Sequence, residues 1–244
     1  MHLAIDMGNS RTKAALFDGT ALRQAYQFSD WSALLAVVDE HAVTRAIVSS
    51  VGQSREVRAL GRRLPIPLLV LDGTTPLPFV NTYETPATLG TDRLAAVAGA
   101  QQQYPGQNAL AIDAGTCITY DLIDRKGCYR GGLISPGVQM RRQAMHTFTA
   151  RLPLVEADDA PFSLTERSTA AALRSGAAGG AAAEIGQMIR MYGDKFSDLQ
   201  VVISGGDASI LMNTIRPNHP VTVVPHLVLI GLNCILQHYV QQNN

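Results

Sequence analysis

Two stretches of the chain set an aspartate at the end of an apolar run with a glycine two residues on: LAIDMGNSRTKAALFDG from Leu3 and LAIDAGTCITYDLIDRKG from Leu110. A turn that carries glycine offers backbone N–H groups with no Cβ in the way, which suits close approach by phosphate oxygens. A carboxylate at the adjoining strand end, Asp6 or Asp113, can hold Mg²⁺ directly or through water. The first turn adds Asn9, Ser10 and Lys13 as donors, and the second adds Thr116 and Thr119. One such turn occurs in many plain hairpins. Two of them, each heading its own half, would make a cleft in which a polyphosphate is gripped from both sides.

The other familiar phosphate signatures are missing: GxxxxGK[ST], GxGxxG and the protein-kinase HRD and DFG sets are not in the sequence. Cys117, Cys128 and Cys234 are odd in number and lack CxxC spacing, and the 6 histidines show no HExxH pattern. A disulfide framework and a zinc site are therefore not expected. The 20 basic and 20 acidic side chains cancel, leaving no global field to draw nucleic acid or an anionic membrane. The apolar run LVLIGLNCIL is broken by Asn233 and too short to span a bilayer, and the start MHLAID lacks the marks of a signal peptide. A cytoplasmic location is expected.

These residues must be carried by strands and helices, and the pattern supplies them. His2 to Ile5 and Thr12 to Phe17 read as a hairpin, followed by a helix capped by Asp30 and running to about Glu40. Ala46 to Ser49 reads as a buried strand, Ser54 to Arg63 as a helix and Pro65 to Leu71 as a proline-edged strand. The proline-rich stretch DGTTPLPFVNTYETPATLG reads as a functional loop before a helix from Thr91 to Gln103. The second hairpin begins at Ala109, so the expected halves are residues 1–108 and 109–244. Ser135 and Pro136 look like a helix start, with the helix running to about Thr149, and a long small-residue helix should span Ser168 to Met191. Its Gly176, Gly179 and Gly180 point to close helix packing. Leu199 to Ser204 and Val221 to Val224 read as strands and Leu227 to Val240 as a closing helix, with VSSVG from Val48 and ISGGD from Ile203 at matching places in the two halves. Strand and helix alternate as in α/β folds.

The ordered set of motifs resembles the type III pantothenate kinases, within the actin-like ATPase superfamily of sugar kinases, acetate kinases and Hsp70 chaperones. The carrying residues are DMGNS at Asp6 to Ser10, Tyr83 followed by GTDR at Gly90 to Arg93, DAGT at Asp113 to Thr116, GGLISPG at Gly131 to Gly137 and STAAALRSG at Ser168 to Gly176. The resemblance implies a duplicated actin-like, ribonuclease H-like α/β fold whose two similar subdomains flank a nucleotide cleft. It implies transfer of the ATP γ-phosphoryl group to pantothenate, the first step of coenzyme A biosynthesis.

The same resemblance distributes roles. Asp92 is the catalytic base. Asp6, Met7, Gly8, Asn9, Ser10, Arg11, Thr12 and Lys13, with Gly115 and Thr116, bind ATP and its Mg²⁺, Asp6 holding the metal directly or through water. Asp113 binds a monovalent cation, potassium or ammonium. Tyr83, Gly90, Thr91, Asp92, Arg93 and Thr169 form the pantothenate site, with Arg93 also giving cationic balance beside Asp92. Gly205 and Gly206 border the adenine. A homodimer is implied, with no nucleic-acid or membrane partner. Two other readings compete: another small-molecule kinase of the superfamily, and a nucleotide-binding regulatory or accessory protein.

Overall fold

The computed structural model describes residues 1–8, 12–28, 31–50, 55–156, 162–214 and 219–243. Apolar runs at residues 3–5 and 14–17, buried throughout, build β1 (His2–Met7) and β2 (Thr12–Asp18), which pair antiparallel with Asp6 opposite Lys13. Gly19, at φ +58°, turns β2 into β3 (Ala21–Phe28). The chain then passes through α1 (Trp31–Glu40), β4 (Arg45–Ser50), α2 (Arg55–Arg63) and β5 (Leu68–Val70). The first sheet has the order β3-β2-β1-β4-β5, with β4 parallel to β1 and β5 parallel to β4. The proposed cap at Asp30 lies outside the described residues.

The proline-rich loop holds only β6 (Val80–Asn81) and a 3-10 turn at Pro86–Thr88 before α3 (Thr91–Gln103), whose bounds match the sequence pattern. Then follow β7 (Ala109–Ala114), β8 (Cys117–Ile123), β9 (Cys128–Pro136), α4 (Val138–Thr147), α5 (Thr169–Lys195), β10 (Gln200–Ser204), α6 (Ala208–Thr214), β11 (Val221–Val223) and α7 (Leu227–Gln242). The second sheet has the order β11-β10-β7-β8-β9-β6. Without β6, both sheets follow one plan: a three-strand meander that begins with the leading strand, and two further strands on that strand's other side. That repeated plan is the duplicated α/β architecture expected from the paired hairpins.

The chain forms two compact units. One comprises Met1–Gly106, Asp121–Gly131 and His226–Asn244, and the other Gln107–Tyr120 and Gly132–Pro225. Ser135 and Pro136 do not open a helix. They end β9, where a proline without an N–H is tolerated, and Gly137 is the N-cap of α4.

In the first unit, Leu3, Ile5 and Met7 face a core that includes Leu34 and Val38 of α1 and Val57 and Leu60 of α2. Helix α7 packs against β1 and β4 and lies along α3. The α3–α7 approach depends on two glycines. A Cβ at Gly99 would lie 2.6 Å from the Leu227 carbonyl oxygen, and one at Gly231 would overlap the Ala95 carbonyl. In α5, Gly179 makes room for the ring of Phe162, whereas a Cβ at Gly176 would meet nothing within 4 Å.

In the second unit a half-buried carboxylate braces three elements. Tyr120 donates to Glu184 Oε1 at 2.9 Å, Ser135 Oγ donates to the same oxygen at 2.5 Å, and Arg141 Nη2 donates to Oε2. Arg141 Nε also donates to the Pro136 carbonyl at 2.8 Å. Burial alone would raise the Glu184 pKa, but these hydrogen bonds outweigh it and hold the carboxyl below its ordinary value.

Gly231→Ala should destabilise the protein by about 3 kcal/mol, the upper end of overpacking costs, because the obstacle is backbone. Gly176→Ala should stabilise it by about 0.5–1 kcal/mol through better helix propensity, and urea unfolding followed by circular dichroism measures both. For Glu184, whose folded pKa is lowered, the stability advantage over Glu184→Gln should be full above its ordinary value of 4.5 and vanish as the pH falls through the lower folded value. Urea midpoints of both proteins across that range provide the check; an advantage that grows toward acid would contradict it.

Candidate active site

In the first unit, Asp6 stands half-buried at the end of β1, its Cα partnered by Lys13 across the hairpin and by Ser49 on β4. Ser49 is buried, and its hydroxyl shares a 3.0 Å hydrogen bond with Thr91 Oγ1, which also lies 3.4 Å from the Ser50 carbonyl oxygen. The start of α3 is thereby laced to the end of the strand beside Asp6. Asp92 sits in the first turn of α3, where unpaired N–H groups and the helix dipole favour a carboxylate. Its Oδ1 accepts from the Arg93 amide at 2.9 Å. A Cβ at residue 90 would overlap that same oxygen, so glycine in GTDR is what lets the Asp92 carboxylate fold back over the turn. Met7 is buried, Gly8 is exposed, and Thr12 and Lys13 are half-buried, while Asn9, Ser10 and Arg11 lie outside the described residues.

It is the Arg93 amide, not its guanidinium, that donates to Asp92. The guanidinium is buried and engages Asp121 of β8, with Nε 2.9 and 3.2 Å from the two carboxylate oxygens and Nη2 2.6 Å from Oδ1. Tyr129 on β9 donates its hydroxyl to Asp121 Oδ1 at 2.6 Å. The Tyr129 ring stacks on Tyr83, with centroids 6.0 Å apart and planes 12° apart, and Arg93 Cζ lies 5.6 Å from the Tyr83 centroid. Burial alone would lower the Arg93 pKa, but the hydrogen bonds and charge of Asp121 raise it, so the guanidinium stays charged. Burial and the Asp121 charge push the Tyr129 phenol up, keeping it a donor. Tyr83 is held through its own amide, which donates to Asn81 Oδ1 at 3.0 Å, and by the neighbouring Thr82 hydroxyl, which donates to the Tyr129 carbonyl at 2.5 Å.

In the second unit, Asp113 ends β7 and its Cα partner on β10 is Ser204, the same arrangement as Asp6 with Ser49. Two glycine-bearing segments dock on the turn that follows Asp113. Gly137 donates its N–H to the Thr116 carbonyl at 3.1 Å and leaves no space for a Cβ against Gly115 and Thr116. Gly205, at φ +103°, crosses so close to Ala114 that a Cβ would overlap its backbone, and the Asp207 amide donates to the Ala114 carbonyl at 3.0 Å. The GGLISPG and ISGGD motifs thus clamp the DAGT turn, leaving Thr116 exposed and Gly115 half-buried. Burial raises the Asp207 pKa against the opposing charge of Arg142. Thr169 is exposed on a different element, as the first residue of α5 after the Ser168 cap.

Among the described residues, no group of three or more His, Cys, Asp or Glu is arranged to hold a metal ion. Mg²⁺ carried on a polyphosphate takes one or two carboxylates and fills its shell with phosphates and water. The half-buried Asp6, beside the exposed Gly8, fits such a role. Asp113 is half-buried near the end of β7.

Asp121 and Tyr129 were not marked by the sequence motifs, although one signal was present. A carboxylate inside the apolar strand segment TYDLI must find a buried cation or donor, and GTDR supplies the arginine.

Comparison with known proteins adds a lineage to this geometry. A family model described as Type III pantothenate kinase matches residues 2–191. A type III pantothenate kinase of Bacteroides fragilis is 44% identical over 241 residues, which is 98% of this chain and 98% of the relative. One from Cytophaga hutchinsonii is 38% identical over 240 residues, covering 98% of this chain and 100% of the relative. Among solved structures, a Campylobacter jejuni protein described as a Baf family transcriptional activator superposes with a TM-score of 0.61 at 19% identity, covering 99% of this chain and 98% of that one. A polyphosphate/ATP-glucomannokinase from Arthrobacter gives a TM-score of 0.50 at 14% identity, covering 98% of each chain. At these identities the structural likeness is one of fold, the actin-like ATPase fold of sugar kinases.

Proposed function

The chain belongs to the type III pantothenate kinase family and phosphorylates pantothenate in coenzyme A biosynthesis, and we propose that Asp92 is the base for that transfer. The observation that carries this reading is the start of α3, where Gly90 makes room for the Asp92 carboxylate and Thr91 ties the turn to β4. In the proposed step, Asp92 takes the proton of the pantothenate primary hydroxyl as its oxygen attacks the γ-phosphorus. The bond from that phosphorus to the β–γ bridging oxygen breaks, and ADP leaves with the electron pair.

Positioning and charge do the rest. We assign the ATP phosphates to residues 6–13 of the first turn and to Gly115 and Thr116 of the second. Mg²⁺ bound with ATP would supply charge neutralisation, with Asp6 as its protein partner, and Asp113 would hold potassium or ammonium. Pantothenate carries a carboxylate, an amide and two hydroxyls, which suit Arg93, Tyr83 and the GTDR backbone, with Thr169 as a further hydroxyl partner. Asp121 occupies the Nε/Nη2 edge of Arg93, so the substrate-facing end is assigned to Nη1.

A homodimer is proposed on the second unit's exposed apolar side chains, Leu133 (44%), Ile134 (61%), Phe148 (84%) and Leu164 (89%), which a monomer would leave in water. A cytoplasmic location accords with the substrates, and among the described residues no helix is long and apolar enough to cross a membrane.

The purified protein should form 4′-phosphopantothenate from ATP and pantothenate with Mg²⁺, faster in potassium than in sodium. Asp92→Asn should keep the fold and nucleotide binding while losing roughly 10²-fold or more in turnover; near-normal turnover would remove Asp92 from the chemistry. Asp113→Ala should blunt the difference between potassium and sodium, and an unchanged cation response would reject that site.

A further inference from the structure

Asp121 is fully buried in β8, and Nε and Nη2 of Arg93 and the hydroxyl of Tyr129 converge on it. A buried ion pair is a poor device for stability alone, since apolar residues of similar volume commonly do as well. Here its partners have a further property. Arg93 and Tyr83, the two proposed pantothenate side chains of the first unit, come from different segments; they touch each other directly, and each is also held by this cluster: Arg93 binds Asp121, Tyr129 binds Asp121, and Tyr83 stacks on Tyr129.

We propose that Asp121 and Tyr129 are positioning residues for pantothenate, one buried carboxylate and its phenol partner setting the placement of both Arg93 and Tyr83. This rests on the assignment of those two side chains to the pantothenate site. A guanidinium held at Nε and Nη2 has its plane fixed, so the direction of Nη1 is set before substrate arrives. The Tyr83 ring is fixed between the Tyr129 face and the Arg93 cation, 6.0 and 5.6 Å away. Neither Asp121 nor Tyr129 touches substrate in this scheme. Their effect passes through the two residues they hold, and it is specific to one of the two substrates.

The test is steady-state kinetics on the full chain, measuring KM for pantothenate and for ATP separately in Arg93→Gln, Asp121→Asn, Asp121→Glu and Tyr129→Phe, with folding checked by circular dichroism. Arg93→Gln and Asp121→Asn should each raise the pantothenate KM at least about tenfold, with the ATP KM within about twofold of wild type. Asp121→Glu keeps the charge but displaces the guanidinium, so it should raise the pantothenate KM as well. Tyr129→Phe keeps the ring stack and loses one hydrogen bond, and should give a smaller rise of about threefold. If Arg93→Gln raises the pantothenate KM while Asp121→Glu and Tyr129→Phe leave it unchanged, the positioning role is overturned and the site assignment stands. If Arg93→Gln leaves it unchanged, the site assignment fails and this inference with it. A parallel rise in both KM values would mark a general structural loss and also overturn the proposal. Should Asp121→Asn not fold, the Tyr129→Phe result decides.

Discussion

Helix α3 can carry the proposed chemistry only because its far side lies against α7 with almost no side chain between them. Gly99 and Gly231 let the two backbones approach to a distance that a single methyl group would prevent. The inner positions of α3 run Arg93, Leu94, Ala95, Ala96, Val97, Ala98, Gly99 and Ala100, all buried, so most of this helix is fixed by contact on every side. Its free end is the N-terminus, where Thr91 is tied to β4 and Asp92 and Arg93 point in different directions. A rigid rod with a polar tip is a good mount for a group that must meet a substrate hydroxyl within hydrogen-bond distance.

At that tip the charges are separated by role. Asp121 neutralises the Arg93 guanidinium inside the unit, while the Arg93 amide donates to Asp92. A guanidinium paired directly with Asp92 would have competed with a substrate proton for the same carboxylate. The second unit treats its turn differently, using backbone in place of charge: Gly137 and Gly205 press on the segment Ala114–Thr116 and hold its carbonyls and amides in a fixed orientation. One leading-strand aspartate is thus set beside the helix that carries the proposed base and the other beside a backbone clamp, although both pair with a serine on the adjacent parallel strand.

Elements whose own residues carry the signal were legible in the sequence. The leading strands are short apolar runs that end at an Asp-x-Gly turn, and α3 begins at Thr91, where the proline-bearing loop gives way to an apolar helix. Strand β3 was not, because ALRQAYQF is an exposed edge strand whose stability comes from its β2 partner. Ser135–Pro136 misled because the same pair suits a helix start and a strand end, and the choice is made by Gly137 docking on Thr116. In the site, the Asp-x-Gly turns were readable as local motifs, and GTDR through the family resemblance. Asp121 and Tyr129 were not, since their meaning lies in a contact with a residue 28 positions away. The close-packing glycines were expected in α5, yet the tightest backbone crossing is between α3 and α7, segments far apart in the chain.

The placement of α7 also bears on how the molecule is made. Residues 226–244 belong to the compact unit that begins at Met1, with the whole of the other unit's later segment threaded between. A ribosome delivers the first sheet early, but the helix that covers β1 and β4 emerges only after the second unit's segments. The nascent first sheet must therefore wait with one apolar face uncovered while the second unit is translated, a non-local closure of the kind that slows folding and exposes chains to association. Helix α7 acts as a latch, so that the mount for the proposed base becomes rigid only once synthesis has passed the second unit.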